Sequence, residues 1–132
     1  FYTLWGTEGG IAMEITNIVL IAVIVLFLFW RMMPTKGVKQ ITTAQLKRDL
    51  QNKEKQFIDV RTQGEFKGQH IKPFKNIPLH MMNESTMQKF SKEKEIVVIC
   101  QSGMRSMKAT KTLKKLGFKN ITNVKGGINA WS

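Results

Sequence analysis

The run Ile96-Val97-Val98-Ile99-Cys100-Gln101-Ser102-Gly103-Met104-Arg105-Ser106 decides the fold. Its first four residues are apolar and β-branched, the composition of a strand buried on both faces of a parallel sheet. The run then turns polar and supplies a glycine at Gly103. Beyond it Ala109, Leu113 and Leu116 recur at helical spacing, while Lys108, Lys111, Lys114 and Lys115 point elsewhere and Gly117 ends the helix. A strand passing through a short loop into a helix is the repeating unit of α/β domains, which bind ligands at the carboxyl ends of their strands. Cys100 stands at such an end.

Working outward, Val38–Ile41 reads as a short edge strand. Thr42 with Gln45 three residues on is a capping box that opens a helix carrying Leu46 and Leu50 on one face. Phe57–Val60 is a second apolar strand, Ile121–Val124 a further one, and Gly127–Trp131 a closing short helix. Strands alternating with helices at this spacing predict an α/β domain over residues 38–132, with a mostly parallel central sheet flanked by helices.

The amino-terminal part has another character. Ile15–Met33 is apolar apart from Thr16, Asn17 and Arg31, with an unbroken core from Ile18 to Trp30. At about 1.5 Å per residue it approaches the roughly 30 Å hydrocarbon thickness of a bilayer, which predicts a single transmembrane helix. A cleaved signal peptide fits less well, because Glu14 precedes the core and Trp30-Arg31-Met32-Met33-Pro34 follows it. Arg31, Lys36 and Lys39 lie after the span, and Glu8 and Glu14 before it. The positive-inside rule then places residues 1–14 as an extracytoplasmic tail, 34–37 as a linker, and the domain in the cytoplasm at the cell membrane. The chain opens on Phe1, Met13 is a candidate natural start, and residues 1–12 carry no weight in this reading.

Composition excludes several chemistries. A single cysteine allows neither an internal disulfide nor a paired-cysteine zinc or redox site, and two scattered histidines make no metal cluster. Neither a metal nor another cofactor is expected. Beyond Pro34 the chain carries 20 basic against 7 acidic residues, a net +13. That excess attracts an anionic bilayer surface and small anionic substrates. Nucleic acid as a partner has only this charge in its favour, since no zinc-finger or helix-turn-helix pattern accompanies it.

A cysteine between a buried strand and a helix start faces backbone N–H donors and the positive end of the helix dipole, both of which favour an ionised sulfur. Gly103 lets the loop curl, and Arg105 adds positive charge. The expectation is a reactive, solvent-accessible Cys100; the plainer alternative is a small buried hydrophobe at a strand end.

Cys100-x-x-Gly103-x-Arg105-Ser106 resembles the active-site loop of the rhodanese family of sulfurtransferases. Ile58-Asp59-Val60-Arg61-x-x-x-Glu65-Phe66, with His70-Ile71 and Asn76-Ile77-Pro78, resembles the family's first signature. Gly117-Phe118, with Gly126-Gly127 and Trp131, resembles its closing one. The chain departs from the family at Gln69, where glycine is usual before the histidine, and at Phe74, where a small residue is usual.

The resemblance implies a rhodanese-like domain with thiosulfate:cyanide sulfurtransferase activity. Cys100 would carry sulfane sulfur as a persulfide, and Arg105 would orient an anionic donor such as thiosulfate. Gln101, Ser102, Gly103, Met104 and Ser106 would cradle the sulfur through their backbone N–H groups, with Arg61 approaching the substrate. Asp59 and Glu65 would brace the loops, and His70 and His80 read as structural. With no second cysteine in the chain, the acceptor must come from outside: cyanide, a small thiol or a protein cysteine. Two rivals are a docking or regulatory module without catalysis, and a phosphatase or arsenate reductase. Phosphatases of this resemblance place one residue more between cysteine and arginine than the four found here.

Overall fold

In the computed structural model, which describes residues 2–32 and 36–132, the chain forms two compact units, Phe1–Pro34 and Thr35–Ser132.

The first unit is one helix, α1 (Tyr2–Met32). Its segment Glu14–Arg31 has a mean hydropathy of 2.0, long and apolar enough to cross a membrane. The side chains of that segment are exposed on every side of the helix. The expected span falls within α1 except for Met33, which lies outside the described residues together with Pro34 and Thr35 of the expected linker. The segment expected as a tail is helical from Tyr2 onward.

The second unit is an α/β domain. Its strands are β1 (Val38–Ile41), β2 (Gln56–Asp59), β3 (Lys75–Asn76), β4 (Ile96–Ile99) and β5 (Ile121–Val124). They form one parallel sheet in the order β1-β5-β4-β2-β3. Its helices are α2 (Thr43–Asp49), α3 (Gln63–Gly68) and α4 (Met104–Lys115). The four residues of β4 are all fully buried, and the pleat sends Ile96 and Val98 into one hydrophobic cluster and Val97 and Ile99 into the other. The first cluster includes Ala109 and Leu113 of α4; the second includes Leu46 of α2. Each such aliphatic side chain contributes roughly 1.5–3 kcal/mol on burial, which makes β4 the axis of the domain.

The elements start and stop where local chemistry tells them to. Thr42 caps α2 in the expected box with Gln45, and Gly117, at φ +96°, follows the carboxyl end of α4 in the left-handed conformation. The second strand is Gln56–Asp59, one residue earlier than expected, although the Val60 N–H still donates to the Ile99 carbonyl at 3.0 Å. The closing helix is a single 3-10 turn, Gly127–Ala130. Three elements were not anticipated as such: α3, β3 and a 3-10 turn at Leu79–Met81. Phe74 is accommodated edge-to-face against Phe57, with ring centroids 5.2 Å apart.

Candidate active site

Because all strands run in parallel, their carboxyl ends gather at one end of the sheet, and Cys100 follows β4 there. The loop Gln101–Gly103 turns the chain into α4, with Gly103 as its N-cap at φ +105°, a conformation open to glycine and strained for other residues. That turn brings the Gly103 N–H to 2.8 Å from Cys100 Sγ. Ser106, fully buried in the first turn of α4, accepts from the Cys100 thiol at 3.4 Å and donates to the Gly103 carbonyl at 3.0 Å. The first N–H groups of a helix have no intrahelical partner, so those of Met104, Arg105 and Ser106 are left for a ligand of the loop.

The expectation of a solvent-accessible sulfur is corrected: Cys100 is 0% exposed. Its side chain packs into the cluster that includes Ile58, Val60, Met82 and Ala109, and the turn that follows β5 holds its backbone. Ile128 N–H donates to the Cys100 carbonyl at 2.9 Å and Asn129 N–H to the Gln101 carbonyl at 3.0 Å, which clamps the loop from beneath. Gly127 makes this approach possible. A Cβ there would fall on the Cys100 carbonyl, and its φ of +59° is left-handed. Ser102 and Met104 are exposed, and neither side chain makes a hydrogen bond among the described residues.

The Arg61 side chain, expected to approach the substrate, is 2% exposed and engaged with partners of its own chain. The guanidinium binds Asp59 at 2.8–3.0 Å, the Gln69 carbonyl at 2.6 Å and Gln101 Oε1 at 3.2 Å. It thereby ties β2 to the residue after Cys100. Asp59 is wholly buried and accepts from the Arg61 guanidinium.

Arg105 occupies the loop's outer side. It forms a two-pronged pair with Glu65 at 2.6 and 2.8 Å and lines a shallow cleft of about 300 Å³ with Val60, Thr62, Pro78, Leu79 and His80. Glu65 serves two partners at once, because its Oε1 also accepts the Thr62 N–H that opens α3. The Arg105 hydrogen bond is the main reason the Glu65 carboxyl sits at about 2 against its ordinary 4.5; burial opposes the shift and the Thr62 bonds reinforce it. Arg105 is raised in turn, chiefly by its hydrogen bonds to Glu65, with burial opposing the shift. His70 stacks on Phe66, with centroids 4.1 Å apart, away from the sulfur's hydrogen-bond partners. Among the described residues no group of His, Cys, Asp and Glu could hold a metal.

Two contributors were assigned no role from the sequence, Asn76 among the residues of the first signature and Asn129. Asn76 donates to the carbonyls of Asp59 and Arg61 at 3.0 and 2.9 Å and so fixes the end of β2. Asn129 accepts from Gln101 Nε2 at 2.6 Å. Its only sequence signal was the adjoining Gly126-Gly127, which marks a turn needing left-handed backbone.

Comparison with known proteins gives the same frame. A rhodanese-like domain model matches residues 42–132. A putative sulfurtransferase YtwF of Bacillus subtilis is 41% identical over 95 residues, covering 71% of this chain and 90% of the relative. Thiosulfate sulfurtransferase 18 of Arabidopsis thaliana is 40% identical over 90 residues, covering 58% of this chain and 65% of the relative, so this chain spans less than two thirds of that relative's length. The crystal structure of a rhodanese-like domain protein from Staphylococcus aureus superposes with a TM-score of 0.65 at 34% identity, over 72% of this chain and 92% of that one.

Proposed function

The chain belongs to the rhodanese-like domain family, and on that footing we propose that it is a membrane-anchored sulfurtransferase working through a Cys100 persulfide. The observation that carries the reading is the N–H of Gly103 aimed at Cys100 Sγ from 2.8 Å, at the start of α4. In the first step the Cys100 thiolate attacks the outer sulfur of thiosulfate. The sulfur–sulfur bond to the sulfonate breaks, its electron pair leaves with sulfite, and Cys100–S–S⁻ remains. In the second step cyanide or a thiolate takes the terminal sulfur and returns the Cys100 thiolate.

The chain's own residues have defined parts. Gly103 N–H and the free N–H groups of the first turn of α4 stabilise sulfur anions, as helix starts stabilise other anions. Arg105 offers a guanidinium at the rim for the donor's sulfonate, exchanging part of its Glu65 contact for it. Arg61, Asp59 and Gln101 hold the loop's frame. Because Cys100 is buried, loading requires a local opening of the structure around its sulfur. The relative named a thiosulfate sulfurtransferase supports thiosulfate as donor.

The apolar length of α1 and the cationic residues that follow it support a single-pass anchor with the domain on the cytoplasmic side. The catalytic test is thiocyanate formation from thiosulfate and cyanide by the wild type and by Cys100→Ser. Activity and a mass gain of one sulfur atom are expected in the wild type and absent from the variant. A wild type that neither forms thiocyanate nor gains sulfur sinks the proposal. For topology, the domain is expected to resist protease in sealed right-side-out vesicles, and digestion there refutes the cytoplasmic placement.

A further inference from the structure

β3 pairs with β2 at Ile58 and Asp59, so among the described residues Gln56 and Phe57 have no strand partner on that side, although β4 pairs with both on the other. Along this uncovered edge runs a groove of about 1320 Å³, lined by none of residues 100–106. Leu50 and Phe57 come to it from one face of the sheet, and Ile77 and Phe90 from the other. Its wall is fixed: the Gln56 amide donates to the Ser91 carbonyl at 2.9 Å and accepts the Ser91 N–H at 2.7 Å.

The groove's charge is one-sided. Lys53, Lys55, Lys75 and Lys89 line it, and no Asp or Glu does. Lys55 is engaged by Asp49 and Glu95, both at 3.0 Å. The other three form no ion pair among the described residues, and Lys75 Nζ lies over the Phe90 ring at 5.9 Å. An open strand edge, apolar side chains flanking it and unneutralised cations along it are complementary to an extended segment that alternates apolar and acidic residues. The volume exceeds the roughly 300–1,000 Å³ of ordinary small-molecule sites. Pro78 lines both this groove and the cleft at Arg105, so the two depressions adjoin.

We propose that this groove seats an extended acidic–apolar segment of the protein that accepts sulfur from Cys100, an inference that rests on the sulfurtransferase reading for its acceptor part. The probe is a fluorescein-labelled peptide alternating Glu with Leu and Phe and ending in Cys, titrated by anisotropy into the full chain in nonionic detergent. K53E/K75E/K89E is expected to weaken binding about tenfold or more, the combined effect of reversing three weak exposed ion pairs. Replacing the peptide's Leu and Phe by Ser is expected to abolish binding, which separates the groove from general attraction to a cationic chain. Persulfide transfer to the peptide thiol falls in step in the triple variant, while thiocyanate formation, which needs no docking, is unchanged and reports an intact fold.

Equal binding by wild type and triple variant, or by the serine peptide, overturns the groove as a docking site. Tight binding with no faster transfer than to the serine peptide overturns the acceptor assignment. Should the wild type take up no sulfur at all, the failure belongs to the sulfurtransferase reading, and the anisotropy result still decides the groove.

Discussion

The Asp59–Arg61 and Glu65–Arg105 pairs both reach the Cys100 loop, yet they live in different media. The first is sealed, with side chains 0% and 2% exposed, and adds bonds to the Gln69 carbonyl and Gln101. The second is about a third exposed, at 33% and 35%, and borders the cleft beside the loop. Two carboxylate–guanidinium pairs of similar geometry therefore do different jobs. Buried charge holds its partner absolutely, because neither side has water to turn to. Partly wetted charge can exchange its partner for an incoming anion.

The largest effect that could break this contrast comes from the sealed pair. Asp59→Ala leaves the Arg61 guanidinium buried and uncompensated, and a loss of about 3–5 kcal/mol is expected in urea unfolding followed by circular dichroism. A loss as small as that of a surface pair would erase the distinction. Glu65→Gln, by comparison, is expected to cost less than about 1 kcal/mol at neutral pH.

Acid sharpens the comparison further. Glu65 is held at about 2 against 4.5 in the unfolded chain, so its contribution is complete above pH 4.5, shrinks below it and is gone once the pH has fallen through about 2. Wild type and Glu65→Gln should therefore converge in stability as pH drops from 5 to 2, in a series of unfolding curves. A gap that stays constant over that range assigns the Glu65 effect to something other than its charge. The smallest expected effect is that of salt: 0.5 M NaCl narrows the difference between wild type and Glu65→Gln and leaves that between wild type and Asp59→Ala unmoved.

What was legible in the sequence follows the range of the interactions. β4 was plain because four consecutive β-branched residues satisfy two faces at once, and α2 because its capping box is local. β3 has two residues, Lys75 and Asn76, too few to carry a period; it exists because β2 offers it an edge. α3 buries no side chain and so shows no hydrophobic repeat, although its Thr62-x-x-Glu65 box could have been read as a helix start. At the site, the position of Cys100 was visible but its depth was not, since residues clustered with its side chain, Ile58, Val60 and Met82 among them, come from distant parts of the chain. The division of labour between the arginines was hidden likewise. Arg105 meets a glutamate 40 positions away, and nothing local to Arg61 announces that it turns inward.

β5 lies between β1 and β4, so among the described strands the earliest in sequence takes its ladder from the latest. On the ribosome, β1 must wait through the synthesis of about 80 further residues, its backbone groups served by water, before it can join the sheet. The clamp on the Cys100 carbonyl comes later still, with Ile128. A nascent chain arrested before β5 thus holds a complete cysteine loop in its sequence with neither its neighbouring strand nor its underpinning. The cysteine-bearing end of the sheet takes its native form only once Ile128 and Asn129 have joined it.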